Sequence, residues 1–407
     1  MIAERLLDPE VVIAAVRPGA AATLADGLPG TALLHARLSR LDPGFERAAT
    51  VHWAHAADLA TRTTAAGGVY HAVGGLAASL IIGSPYLPDP DVNQAAVSRA
   101  AHWTSVYARS LAEHQQAHLR AGGRGAPWYV YDVISGLAGV GRILLAAVTE
   151  GHTTGEAGLE AALGTLTTVL TECDGRRPGW WAAPEQHPPA VAPSVDASGA
   201  ATTGMAHGVA GPVALLARAA VAGYTVDGQE AALRSSTQWL SERRAAPGGW
   251  PAYLTGSELD ADAAVSRDGR TTAWCYGVPG ISRALLLAGR ALNDPHLVGT
   301  SLAELTALAE HPDQWDAEGP TLCHGFAGVM RCATGMNDAV TQIAVRTVAR
   351  DLDLNRPFVV GHRDHAQTFD NPGFLTGAAG VGLALAEHAD LPVASVRTSW
   401  DALMLLS

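Results

Sequence analysis

The sequence predicts an all-α protein built as an α/α toroid, an inner ring of helices inside an outer ring, and three observations carry that expectation. A unit recurs in which a Gly-rich stretch leads into about ten apolar residues at helical spacing. These apolar runs show no polar face, as helices buried all round require. The segments between them, such as TVDGQEAALRSSTQWLSERRAA, alternate polar and apolar faces instead. Apolar residues make up 48% of the 407-residue chain and charged residues only 16%, which supplies a large core and little material for a disordered tail. Length alone would suggest two or three domains. The repetition argues for one, spanning residues 1–407, with the repeat region running from about Gly68 to Glu387.

From the start to about Ala66 the pattern is helical, with polar breaks at Arg17 to Gly19 and Leu41 to Gly44. His52 and His55 share a helix face by spacing, but no carboxylate or thiol stands near them, so packed or exposed helix residues are expected rather than a metal pair. The repeated units are VYHAVGGLAASLII, YDVISGLAGVGRILLAA, MAHGVAGPVALLARAA, WCYGVPGISRALLLAG, LCHGFAGVMRCATG and FLTGAAGVGLALAEH. Their first glycines are Gly136, Gly208, Gly277, Gly325 and Gly377, with Ala72 in that place in the first copy. Intervals of 48 to 72 residues separate them, enough for an inner helix, a return helix and a loop. Glycine costs conformational entropy unless a positive φ or a close approach needs it, so its repetition suggests helix starts crowding toward one centre. Asp89 to Arg124 reads as one long helix with polar ends. The longest linker, Arg176 to Gly204, is rich in Pro, Gly and Trp, and a loop of that length is usually functional or mobile. Trp180 and Trp181 either line a peptide-sized groove or seal the edge of the toroid.

All 27 basic residues are Arg, against 39 acidic ones, giving a net charge of −12 and no basic patch for nucleic acid. No apolar run approaches the roughly 18–20 residues of a membrane span. The N-terminal stretch carries acids among its apolar residues and lacks the order of a signal peptide, so a cytoplasmic location is expected. Four cysteines are too few for a disulfide framework, which leaves reduced thiols and metal binding.

Two copies carry soft metal ligands. Cys323 and His324 stand side by side before Gly325, and Cys275 holds the corresponding place ahead of Gly277. Two thiolates and one imidazole form a natural first shell for Zn²⁺, and three protein ligands leave a fourth corner for water or substrate. The alternative is a closed structural site with a fourth ligand elsewhere. Positions just before a helix lie at the positive end of its dipole, which favours thiolates at Cys275 and Cys323. Cys173 and Cys332 read as surface or core thiols, and His362 and His365 as loop residues.

With Trp274-Cys275-Tyr276-Gly277 and Cys323-His324-Gly325 on successive Gly-rich lead-ins, the chain resembles the lanthionine synthetase C-like family, the cyclases of lanthipeptide biosynthesis. The resemblance covers most of the chain. It implies one Zn²⁺ at the mouth of a central cavity, held by Cys275, Cys323 and His324. It also implies acid/base roles, in an order left open, for His207 in AHGVAG and Asp132 in YDVISG, with Tyr276 beside the metal. The family arginine normally lies four residues before the first zinc cysteine. Here that position is Thr271, and Arg270 lies five before.

The implied substrate is a dehydrated precursor peptide, with a lanthipeptide dehydratase as a candidate partner. The implied reaction is Michael-type addition of a cysteine thiol to dehydroalanine or dehydrobutyrine. A thiol of pKa ~8.5 is mostly protonated at neutral pH, and coordination to zinc yields the nucleophilic thiolate. Other readings are a glutathione-adding member of the family, a toroid enzyme resembling a prenyltransferase, or a non-catalytic peptide-binding scaffold. The prenyltransferase type includes a carboxylate among its metal ligands, and neither motif offers one.

Overall fold

A computed structural model describes residues 1–62, 67–188, 195–245, 248–261, 271–364 and 367–407. Among the described residues, seven helices form the inner ring: α1 (Leu28–Leu38), α3 (Ala72–Gly83), α5 (Leu137–Thr149), α7 (Ala210–Val221), α9 (Val278–Ala291), α11 (Phe326–Ala333) and α13 (Ala378–His388). Each packs on the next, and α13 returns against α1, so the ring closes. Between them run the outer helices α2 (Pro43–Ala60), α4 (Gln94–Arg120), α6 (Glu156–Thr171), α8 (Gln229–Glu242), α10 (Pro295–Glu310) and α12 (Asp338–Arg350). Two short helices, Ile2–Arg5 and Pro9–Ala14, lie against α13, α1 and α2. The expected α/α toroid is therefore the fold. Every residue of α1 is buried, whereas α4 buries one face only, as the apolar and mixed runs require.

The helix in the first sixty residues turns out to be a seventh copy. Gly27-Leu28-Pro29-Gly30 has the same punctuation as the other six, without an aromatic or metal-ligating neighbour to draw attention to it.

The glycines answer a more local demand than crowding at the ring centre. Each lead-in loop folds back over its own helix start. In α13, for example, the N–H groups of Ala378, Ala379 and Gly380 donate to the carbonyls of Asn371, Pro372 and Gly373, seven residues earlier. The same offset recurs at Phe326, Ala327 and Gly328 of α11. These backbone bonds satisfy first-turn donors that side-chain caps would otherwise serve, and α5, α9, α11 and α13 have no side-chain cap. The fold-back presses the carbonyl six residues earlier onto the second glycine. A Cβ at Gly139, Gly280, Gly328 or Gly380 would overlap the carbonyl oxygen of Val133, Trp274, Leu322 or Phe374.

Successive loops are also bonded to one another. The N–H groups of Val133, Ala206, Cys275, Cys323 and Leu375 donate in turn to the carbonyls of Ala206, Cys275, Cys323, Leu375 and Ala25, at 2.9–3.2 Å. Tyr70 donates to Ile134 at 3.4 Å. Below this belt the ring is filled by residues 400–407, a short 3-10 turn and its continuation. Trp274 Nε1 donates to Met404 O, Tyr70 Oη to Leu403 O and Arg142 Nε to Ser407 O, while Arg331 pairs with the buried Asp401. The interior below the belt is thus filled by the chain's own C-terminal residues.

Among the described residues three antiparallel ribbons, outside the all-α expectation, decorate the linkers: β1 (Cys173–Asp174) with β2 (Arg177–Pro178), β3 (Ala200–Thr202) with β4 (Tyr253–Thr255), and β5 (His362–Asp364) with β6 (Gln367–Phe369). The long linker is pinned by the second of these, with Thr202 opposite Tyr253. Trp180 is buried edge-on against Trp239 and seals the edge of the toroid; Trp181 lies under Arg177. His52 is a core residue, bonded to Thr31 Oγ1 and Leu7 O, and beside it His35 bonds Ala3 O.

Two expectations follow. Gly380→Ala should destabilise the fold by about 1–3 kcal/mol, the usual cost of overpacking. Gly299→Ala, in α10 with open space around its Cβ, should stabilise by roughly 0.4–1 kcal/mol. Urea titration of both compares them, and equal effects would contradict the fold-back account. Burial, the main cause in each case, holds His35 down to about 3 and His52 to about 4, below the ordinary 6.5. The unfolded chain then binds more protons than the folded one in that interval. These two groups leave stability whole above pH 6.5 and erode it as the pH falls toward 3–4. His52→Gln should flatten that acid slope in denaturant midpoints measured across pH 4–7.

Candidate metal and acid-base site

The belt explains why two cysteines 48 residues apart meet. Each stands two residues before the first glycine of its copy, and the N–H of Cys275 donates to the carbonyl of Cys323 at 3.2 Å. His324 follows directly. One donor atom from each of Cys275, Cys323 and His324 lies within 4.8 Å of the others, with Cys275 buried and the other two half-buried. Nε2 of His324 lies 3.2 Å from the Arg363 carbonyl, an acceptor that favours the Nε2–H tautomer and presents Nδ1 as the ligand nitrogen. Carboxylates of Glu318 and Asp364 form a second group around the same imidazole. The His362 ring lies 4.9 Å from that of His324, and Nδ1 of His362 is 3.1 Å from Thr321 Oγ1.

His207 occupies the next copy back. Its Nδ1 lies 2.6 Å from Asp132 Oδ2, and the other Asp132 oxygen accepts the N–H groups of Ser135 and Gly136 at 2.8 and 2.7 Å. Asp132 is wholly buried, whereas the His207 side chain keeps 18% of its surface. Sequence reasoning missed three supports of this pair. The Trp128 ring meets the imidazole edge-on at 5.3 Å, and the hydroxyls of Tyr131 and Thr202 both donate to the His207 carbonyl. Trp128 and Tyr131 sit in the stretch Trp128-Tyr129-Val130-Tyr131 just ahead of Asp132, where a cluster of aromatics before a lead-in was the available signal.

Tyr276 links the two halves. Its ring lies tilted against that of His207 at 6.4 Å, and its buried hydroxyl has no hydrogen-bond partner among the described residues. Burial above all, with the nearby Asp132 carboxylate adding to it, raises this phenol well above 10, so it stays a proton donor. A soft donor set beside a buried hydroxyl without a partner among the described residues fits a metal ion, and Cys, Cys, His is a donor set that suits zinc. Cys332 is buried, with burial lifting its thiol to about 12, and Cys173 is exposed; neither joins the cluster. Arg270 and His365 lie outside the described residues. Thr271, at the place of the family arginine, is tied to Asp316 through its N–H at 2.7 Å and its hydroxyl at 3.2 Å.

A closed toroid with two cysteines and a histidine on adjoining lead-ins, next to a His-Asp pair, defines a class: an α/α toroid whose loops carry a candidate metal site of two thiols and an imidazole. The chain belongs to the lanthionine synthetase C-like family, whose profile matches residues 20–404. It is 26% identical over 198 residues to the nisin biosynthesis protein NisC of Lactococcus lactis subsp. lactis, a match spanning 46% of this chain and 45% of that protein. A solved structure, nisin cyclase, superposes with a TM-score of 0.80 at 20% identity, covering 99% of this chain and 96% of that one, a likeness of fold.

Cys275→Ala and Cys323→Ala should each lose most of the bound zinc while keeping the helical circular-dichroism spectrum, because two remaining ligands hold the ion weakly. Elemental analysis of purified protein reads this directly. Full retention in both variants would mean that other residues hold the metal.

Proposed function

We propose that this protein is a zinc-dependent lanthionine and methyllanthionine cyclase, adding cysteine thiols to dehydroalanine or dehydrobutyrine residues of a dehydrated precursor peptide. The observation that carries the reading is the pairing of a Cys275, Cys323 and His324 donor set with the His207–Asp132 pair, bridged by Tyr276. Cys275, Cys323 and His324 would hold the zinc, which would supply the Lewis acidity that favours a thiolate at neutral pH.

The protein's own groups handle the proton. Nδ1 of His207 is committed to Asp132, which leaves Nε2 for exchange with the cavity. Asp132 is too deeply buried to meet a substrate and acts by orienting the imidazole. The thiol proton passes to Nε2. Sulfur then bonds to the β-carbon of the dehydro residue, and the alkene electrons move onto the α-carbon and carbonyl as an enolate. Nε2 returns a proton to the α-carbon, so the peptide gains a thioether without change of mass. The Tyr276 hydroxyl, protonated and without a partner among the described residues, is suited to donate a hydrogen bond to the charge that develops beside it.

His207→Ala should retain zinc and fold yet slow ring closure by roughly 10²–10⁴-fold, the usual contribution of a positioned acid or base. Asp132→Asn should fall in the same range, since an amide offers Nδ1 a donor and reverses the tautomer. Loss of the free thiol of a synthetic peptide carrying one cysteine and one dehydroalanine follows the rate, and chiral analysis of the product follows protonation. An unchanged rate with one retained stereoisomer in His207→Ala would sink the assignment.

A further inference from the structure

The residue just before the first glycine, or Ala72, of each lead-in holds an equivalent place in all seven copies. Around the ring these residues are Asp26, His71, Ser135, His207, Tyr276, His324 and Thr376. Three of the seven already belong to the site. The two copies that precede that of His207 carry His71 and Ser135, whose side chains meet through Nε2 and Oγ at 2.9 Å. His71 is half-buried between buried neighbours, Tyr70 and Ala72, and its side chain does not cap α3. Gly68, with φ +124°, makes room for the pair: a Cβ there would crowd Ser135 Cα at 2.7 Å and His71 Cδ2 at 3.0 Å. Tyr107, from the outer helix α4, steadies the Ser135 carbonyl with its hydroxyl at 3.1 Å. The N–H of Ser135 is one of the two that Asp132 accepts, so the two histidines hang from one short loop, residues 132–136.

We infer that the His71–Ser135 pair is a substrate-binding element that hydrogen-bonds the peptide backbone flanking the dehydro residue and holds the electrophile across the mouth from the donor cluster. This deepens the cyclase reading and rests on it. No core or helix-start role in the described structure requires an imidazole at this position. With Nε2 directed at a hydroxyl, the pair offers a donor and an acceptor suited to an amide. Burial also lowers the His71 pKa, which keeps the ring neutral and able to serve in both senses.

The test uses two synthetic peptides, one with a cysteine and a dehydroalanine, the other with serine replacing that cysteine so that no thiol can anchor it. His71→Ala should raise KM for the first roughly three- to tenfold, the size of one neutral hydrogen bond. It should leave kcat within about twofold and zinc content unchanged. Binding of the thiol-free peptide, read by fluorescence anisotropy, should weaken in parallel. His71→Asn, which keeps a donor and an acceptor, should recover most of both losses. Unchanged KM and unchanged thiol-free binding in His71→Ala would overturn the inference, as would loss of fold or zinc in both variants. A wild-type protein that binds the thiol-free peptide in a His71-dependent way without cyclising the first peptide would sink the cyclase reading and leave the binding element standing.

Discussion

The belt of backbone hydrogen bonds that joins one lead-in loop to the next is the constraint on which the rest of this structure depends. An inner helix with no polar face can be buried only if its first-turn N–H groups find acceptors, and the folded-back loops supply them without side chains. Each loop thereby acquires a fixed shape, and a fixed shape lets one loop donate to the next around the ring. Equivalent residues on adjoining copies become spatial neighbours. Cys275 and Cys323 are the consequence that matters most, since the N–H of one is bonded to the carbonyl of the other.

The same belt divides the ring into two chemical zones. Beneath it, residues 400–407 fill the interior and are held by Trp274, Tyr70 and Arg142 from three different copies. At the belt itself the lead-in loops carry small sets of polar side chains. A buried carboxylate such as Asp132 would ordinarily be costly. Here it accepts two backbone N–H groups and the imidazole of His207, which compensates its desolvation and fixes the ring orientation. Loop shape and acid-base geometry are therefore one feature, because the N–H groups that Asp132 accepts are those that turn the chain into α5.

Within the site, position in the repeat sets the kind of work a residue can do. The place two before the glycine contributes its backbone to the belt, so its side chain is closely confined, which suits a metal-binding thiol. The following residue has more surface, and there stand His207, Tyr276 and His324, groups that exchange protons or meet a ligand. The His71–Ser135 contact extends this logic to the arc that carries no thiol.

Much of the fold and part of the site could be read from the sequence. Apolar periodicity and Gly-x-x-Gly punctuation are local properties, so they identified six of the seven inner helices, the two-ring arrangement and the Cys-Cys-His donor set. The first copy escaped because Gly27 and Gly30 stand among residues with no chemistry to mark them. Other features depend on which distant groups a closed ring brings together. The burial of Asp132 under Ser135 and Gly136, the edge of Trp128 on His207, the orphaned Tyr276 hydroxyl and the plug at Trp400 all arise that way. The sequence by itself determined the repeating unit and the residue types at each of its positions, since helix starts and hydrophobic faces are encoded within a few turns. Only the tertiary structure decided which copies face one another, because closure of the ring is a property of all seven helices packing at once.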